Sequence, residues 1–524
     1  MNVVKSIPSI AEWTARHADA PYLIDAATDR TWTYRSFDRK VRELATVLKT
    51  LGISERDRVV TLVSNSPEFV TLYFACLYLR ATIVPINPAF HRDDITFILA
   101  HSRASLVVVS PQTHALISPE SIARDTPILL FGSSDDTVGL TWSMDQNTIT
   151  PDVATPASTD PNHLWTITFT SGTTSRPKGV PHRATSLWQS AREFATMLGY
   201  SSETRLYHVM PMSYMAGLLN TLLCPYVAGG AVVIDRPFDA RLALDFWRAP
   251  IKHAVNRLCL VPTMLATLRH VDRNAAGAEY CRQHIDTISV CTAPLAASIK
   301  LDFEEKYGTQ LCESYGLSET LFATTELPGL VSRLGSVGKP LASTRIEIRD
   351  VDGHSLPARE NGEVYLSSST IMAGYLDPET SEPVPSTAPT WFPTGDIGHL
   401  DDEGYLCITG RMKDLIIRGG LNISPRAVEE VLLDHPNVRD AAVIGSPHPL
   451  LGEEIVAIIE PVNGSEWNEL RADLTTACRS RLAESARPSR MIEVSEMPRN
   501  STGKIQKNQL RESIASLLAG GLTA

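Results

Sequence analysis

No two cysteines in this chain fall at a Cys-x-x-Cys spacing, although there are eight: Cys76, Cys224, Cys259, Cys281, Cys291, Cys312, Cys407 and Cys478. Most sit among apolar neighbours and read as buried free thiols in a reducing compartment. Neither a disulfide framework nor a zinc site is expected. Basic runs are also missing. The 48 Lys and Arg are outnumbered by 59 Asp and Glu, and the net charge of −11 comes from interspersed residues. This argues against a nucleic-acid surface and against electrostatic landing on an anionic membrane. No apolar run approaches the roughly 20 residues of a membrane-spanning helix. Residues 1–8 lack the apolar centre of a signal peptide, so a cytoplasmic protein is expected. Short-period repeats and low-complexity tracts are absent. What remains is a globular composition, 43% hydrophobic and 20% charged, spread over 524 residues, which is too long for one ordinary core.

The periodicities point to an α/β architecture. Phe37, Val41, Leu44, Leu48 and Leu51 share one helical face, and Gly52 closes that helix. Residues 58–63 form a β-branched run, and Pro67 opens an apolar helix through Tyr73, Cys76 and Leu77. Residues 81–86 and 104–109 are further short apolar runs. Strands alternating with helices imply βαβ units and a largely parallel sheet. Residues 131–163, rich in Asp, Thr, Ser and Pro, read as a surface connection. A helix is expected over 183–198. Beyond residue 423, helical patterns at 423–433 and 471–482 flank strand-like runs at 440–445 and 454–459, as in a small α+β unit.

The surface connection leads to Leu164-Trp165-Thr166-Ile167, which alternates like the end of a strand, and then to Thr168-Phe169-Thr170-Ser171-Gly172-Thr173-Thr174-Ser175-Arg176-Pro177-Lys178-Gly179-Val180. After Phe169 the loop holds no large apolar side chain, so it cannot be core. Small residues permit close backbone approach, hydroxyls and amides can donate, and Arg176 and Lys178 add positive charge. That chemistry suits a phosphate group. It is not a Walker A loop, because Lys178 precedes its glycine. A Ser-Gly-Thr-Thr fragment alone would also suit a solvated linker; the Pro177-Lys178-Gly179 ending argues against one.

The stretch resembles the signature phosphate loop of the adenylate-forming superfamily, which includes acyl- and aryl-CoA synthetases, peptide-synthetase adenylation domains and beetle luciferases. The superfamily's other landmarks follow in order across essentially the whole chain. Glu313-Ser314-Tyr315-Gly316-Leu317-Ser318-Glu319-Thr320 resembles Tyr-Gly-x-Thr-Glu, with Ser318 keeping the hydroxyl. Gly335 to Pro340, Trp391 to Gly398 with Asp396, Gly410 to Pro425 with Arg411 and Lys413, and Met497 to Ile505 with Lys504 complete the set. Two places depart from the pattern. Tyr214 replaces the usual His beside the acid pocket, and Cys291-Thr292 replaces the small pair before Ala293-Pro294. For Cys291, inert filler is favoured over a nucleophile, since no His lies close in sequence.

The resemblance implies a large α/β N-terminal domain (1–410) with layered, mostly parallel sheets, a hinge at 411–414 turning on Lys413, and a small mobile α+β lid (415–524) carrying Lys504. It implies that Thr170, Ser171, Gly172, Thr173, Thr174 and Lys178 bind phosphates, that Ser314, Gly316 and Ser318 border the nucleotide, and that Thr292, Ala293 and Pro294 lie along adenine. Tyr315 would stack on adenine, Asp396 would accept both ribose hydroxyls, and Arg411 would reach the ribose. Glu319 would anchor Mg²⁺, an ion that favours oxygen ligands. Tyr214, Met215, Ala216, Cys291, Thr292, Leu321, Phe322 and Ala323 would shape the acid pocket, while Gly419, Gly420 and Leu421 would pass the coenzyme A arm. Thr170, Glu319 and Lys504 would be catalytic. The implied activity is conversion of a carboxylic acid and ATP to an acyl-adenylate, then transfer to coenzyme A. One alternative is a free-standing enzyme loading an acyl carrier protein; another is an inactive nucleotide-binding homologue. A monomer or homodimer is expected.

Overall fold

Alternation along single strands sets the layering. In Arg58–Leu62, Val59 packs into one core cluster and Val60 into another; in Ala231–Ile234, Val232 and Ile234 point one way and Val233 the other. Side chains on successive strand residues face opposite sides of a sheet, so both sheets are covered on both faces. The computed structural model describes residues 9–132, 141–144, 149–156, 160–170, 176–273, 275–377, 379–384, 391–462, 464–499 and 504–519.

Among these residues, a nine-stranded sheet has parallel central pairings through Pro21–Asp25, Ala231–Ile234, Arg205–His208, Arg257–Leu260, Thr287–Val290 and Leu311–Leu317, with antiparallel edges. A seven-stranded sheet is parallel from Thr141–Trp142 to Leu164–Thr170 and ends in the antiparallel strand Lys178–Arg183. Their largest shared cluster joins residues of both sheets with helices Tyr34–Thr50, Pro67–Leu79 and Ala184–Met197. Helix Pro67–Leu79 has ten of thirteen residues buried, as an internal helix with no solvent face must. It is capped by Ser66, which accepts from the Phe69 amide, and Pro67 fills the first helical position.

The stretch 131–163 differs from its reading as a surface connection. Thr141–Trp142 pairs with Ile128–Phe131, and Trp142 and Met144 are 1% and 3% exposed. The polar neighbours in sequence hide a short edge strand whose one large side chain fills the core. The phosphate loop is likewise shorter than expected, because Lys178–Arg183 is already strand.

A four-stranded antiparallel sheet, Thr344–Arg349 to Leu406–Arg411, places Asp396 opposite Arg411 in register. After it, strands from Ile416–Arg418 to Arg490–Glu493 form a five-stranded sheet. Helices Pro425–Leu433 and Trp467–Arg481 contribute to one core cluster on it, and Leu510 and Ile514 of helix Lys507–Ala519 to another. All eight cysteines are unpaired, seven of them buried. No helix among the described residues is long and apolar enough to cross a membrane.

Candidate active site

A cavity of about 640 Å³ lies where strand ends and turns of these sheets converge. The hairpin register sets Thr170 opposite Lys178, so both face it from neighbouring strands. From Leu311–Leu317 and the turn after it come Ser314, Tyr315, Gly316, Ser318 and Glu319. Gly316 is required by a close approach: a Cβ there would stand 2.0 Å from the Leu321 carbonyl oxygen. Leu321 itself, at φ +60°, and Thr292, at φ +77°, hold left-handed backbone conformations that side-chain-bearing residues rarely adopt. Both line the cavity, where such strain tends to concentrate.

The remaining wall is built by Tyr214, Met215, Ala216, Cys291 and Phe322, and, from the 411–414 segment and the small sheet's end, by Arg411, Lys413 and Lys504. Phe322 is fixed by a parallel stack on Phe194 at 3.6 Å between centroids. Asp396 is 1% exposed and stands behind the wall. Its two oxygens accept from the Tyr315 hydroxyl and from Arg411 Nε, each at 2.6 Å. Burial, together with the Asp396 charge, pushes the Tyr315 phenol well above its usual range.

Lys504 can be reached by water inside the cleft yet is crowded by protein. That crowding, then the nearby Arg411 and Lys413 charges, lower its pKa from 10.5 to about 8. Lys413 is lowered as well, first by burial and also by Arg411.

Some expected residues are not brought to the cavity. Ala293 and Pro294 follow Thr292 but do not line it, and Ala323 is buried in a core cluster with Val364 and Leu366. Gly419, Gly420 and Leu421 are exposed at the turn between Ile416–Arg418 and Leu421–Ile423, away from the wall. Ser171, Gly172, Thr173 and Thr174 lie outside the described residues.

Three contributors carried no motif signal. The Tyr375 hydroxyl donates to Glu319 Oε1 at 2.7 Å, and its ring lies 5.1 Å from Lys178 Nζ. His182, fully buried and held neutral by burial with a pKa of about 4, places Nε2 2.5 Å from the Ser318 carbonyl. A neutral ring donates there, fixing the turn that presents Glu319. Asn220 is the third, on the wall beside Cys291. Glu319 fits a magnesium ion: a half-buried carboxylate in the cavity, with one oxygen engaged by Tyr375 and hydroxyl Thr170 on the same wall.

The chain is similar to known proteins over most of its length. The model of the AMP-binding enzyme family matches residues 10–376, and that of the AMP-binding enzyme C-terminal domain matches 427–504. The sulfoacetate–CoA ligase of Cupriavidus necator is 30% identical over 96% of both chains. The oxalate–CoA ligase of Arabidopsis thaliana is 32% identical over 90% of this chain and 91% of its own. The crystal structure of the anthranilate CoA ligase AuaEII in complex with anthranoyl-AMP superposes with a TM-score of 0.85 at 25% identity, covering 98% of each chain. The chain, over nearly its whole length, belongs to the family of AMP-binding enzymes.

Proposed function

We propose that this protein is an ATP-dependent acid–CoA ligase acting on a monocarboxylic acid whose body is uncharged and largely apolar. The observation that carries this is one cavity with two kinds of lining. Lys178, Arg411, Lys413 and Lys504 are its cationic lining; the remainder includes Met215, Leu219, Phe238, Val261, Met264 and Phe322, none of them charged. The sulfoacetate and oxalate of the relatives carry a second acidic group. The apolar walls offer such a group no cationic partner, and an unpaired buried charge is costly.

A carboxylate is a poor electrophile because its leaving group would be oxide. Attack on the α-phosphate of ATP gives an acyl-adenylate and pyrophosphate, and AMP is then a good leaving group for the CoA thiol. The chain's work is positioning and charge stabilisation. Lys178 and Thr170 hold phosphate oxygens, and Lys504 sits between the attacking carboxylate and the α-phosphate. Glu319 would hold magnesium, which would offset phosphate charge. Residues 1–410 form the acid and nucleotide domain, and 415–524 the lid. The lid turns about Lys413 in 411–414, withdrawing Lys504 and bringing Gly419, Gly420 and Leu421 to the thiol path. No covalent enzyme intermediate is needed.

The test is mass spectrometry of one reaction: enzyme, Mg-ATP and a pooled library of carboxylic acids, with and without CoA. Acyl-CoA appearing only when CoA is added supports the ligase and names the acid. Adenylates that accumulate and ignore CoA point to a carrier protein as acceptor. A preference for dicarboxylates overturns the substrate class.

A further inference from the structure

The cavity lining includes a buried polar side chain that the chemistry above does not use. Asn220 lines the wall, is 5% exposed, and sits in the π-helical turn Leu219–Leu223. Such turns are rare insertions in helices and recur at functional sites. Asn220 Nδ2 donates to Cys291 Sγ at 3.1 Å and reaches Cys259 Sγ at 3.8 Å. Sulfur is a weak acceptor. Among the described residues, no protein donor reaches the Asn220 carbonyl oxygen. Nor is that oxygen one of the fully sealed, partnerless atoms, so its open side is the cavity. Buried amide groups are normally paired. Met215, Leu219, Met264 and Phe322 of the same lining have no N–H or O–H in their side chains, while Tyr214, Thr263 and Thr292 carry hydroxyls.

The amide is oriented with its NH₂ toward the sulfur pair. Cys259 and Cys291 come from adjacent parallel strands, with sulfurs 3.8 Å apart, and hold the NH₂ side against the protein. The carbonyl is therefore the group presented to a ligand.

We infer that Asn220 is a specificity-determining residue that accepts a hydrogen bond from a hydroxyl or amino group on the body of the acid. The inference rests on the acid-activating reading given above and adds a chemical feature to the acid: a largely apolar body bearing one hydrogen-bond donor. An acid lacking the donor leaves the amide oxygen facing apolar surface with no water. A site built to pair a substrate hydroxyl discriminates against the analogue without it for this reason.

The experiment uses the full-length protein and matched acids: benzoate, cyclohexanecarboxylate and hexanoate, each with hydroxyl, amino and methoxy derivatives at successive carbons. Binding is read by saturation-transfer NMR without ATP, and adenylation by pyrophosphate release with Mg-ATP. The best hydroxyl or amino member is expected to exceed its parent and its methoxy analogue by about ten- to hundredfold in both readouts. Asn220→Leu should bring the hydroxyl and amino acids level with the parent and abolish the difference between them and their methoxy analogues. Asn220→Ala gives the same comparison if the leucine variant does not fold. A wild-type protein that binds parent, methoxy and hydroxyl acids equally, or binds none of them, overturns the assignment. So does a preference that survives in both variants. The two readings fail separately: adenylates that never pass to CoA sink the ligase, whereas acyl-CoA formed without any donor preference sinks only the role of Asn220.

Discussion

Tyr375 and Glu319 are joined by a 2.7 Å hydrogen bond, and the same phenol ring lies 5.1 Å from Lys178 Nζ. One side chain thus spaces the carboxylate proposed to hold magnesium from the lysine proposed to hold phosphate. Tyr375→Phe keeps the ring and removes the donor to Glu319. Hydrogen bonds to charged groups contribute about 1.5–3 kcal/mol. The KM for Mg-ATP and the magnesium concentration for half-maximal rate are expected to rise about tenfold, with transfer of a supplied acyl-adenylate to CoA unchanged. Tyr375→Leu, which also removes the ring beneath Lys178, should be worse. A magnesium titration of pyrophosphate release decides; an unchanged titration curve removes Tyr375 from the site.

Lys504 is the second test. Deleting one preorganised charge-stabilising donor typically costs about 10²- to 10³-fold in rate. Lys504→Ala is therefore expected to lose adenylate formation by at least that much, yet still convert synthetic acyl-adenylate to acyl-CoA at near wild-type rate. Single-turnover measurement of each half-reaction separates the two. Equal loss in both shows that the lysine serves beyond the first step.

The pH profile follows from the same residue. Lys504 has a pKa of about 8 instead of 10.5, because burial and the Arg411 and Lys413 charges penalise its ammonium form. Charge stabilisation needs that ammonium. In the first half-reaction kcat/KM should be full on the acid side and fall as pH rises through about 8. For stability the sign is opposite. The folded state resists protonating this group, so the penalty is present below the folded value and is relieved between about 8 and 10.5. Lys504→Ala should be no less stable than wild type at neutral pH. Rate profiles in free-enzyme and saturated regimes, with urea unfolding at pH 7, check both signs.

The motifs around Tyr315, Asp396 and Arg411 could be read from sequence because each is local: a strand and its turn carry the chemistry in a few consecutive residues. Helices such as Tyr34–Thr50 were legible from their one apolar face. Tyr375, His182 and Asn220 were not, since each acts on a residue far away in the chain and looks ordinary among its neighbours. His182 lies inside a strand whose neighbours are buried, and its partner is a backbone carbonyl 136 residues away. Trp142 failed for a related reason. Two strand residues surrounded by polar ones leave no periodicity, and only pairing with Ile128–Phe131 makes them a strand.

Strand Leu311–Leu317, which presents Ser314 and Tyr315, is braced from behind by a buried charge cluster. Lys300, 1% exposed, donates to Glu313 Oε1 at 3.0 Å and to Glu326 Oε2 at 2.8 Å. Glu326 also accepts from the Glu313 and Arg333 amides. Burial raises the Glu313 pKa from 4.5 to about 7, while Lys300 opposes the rise. Lys300→Met removes the cation that pairs with both carboxylates and leaves two acids buried side by side, a loss of about 3–5 kcal/mol. Without the lysine the folded state prefers a shared proton more strongly than the unfolded chain does, so lowering the pH from 7 towards 5 should restore part of the stability. Wild type should show the same sign more weakly, because its lysine already compensates one charge. Urea unfolding of both proteins across that range, followed by tryptophan fluorescence, measures the difference. If the variant's deficit is as large at pH 5 as at pH 7, the cost is lost packing of the lysine stem, and the two carboxylates do not share the burden assigned to them.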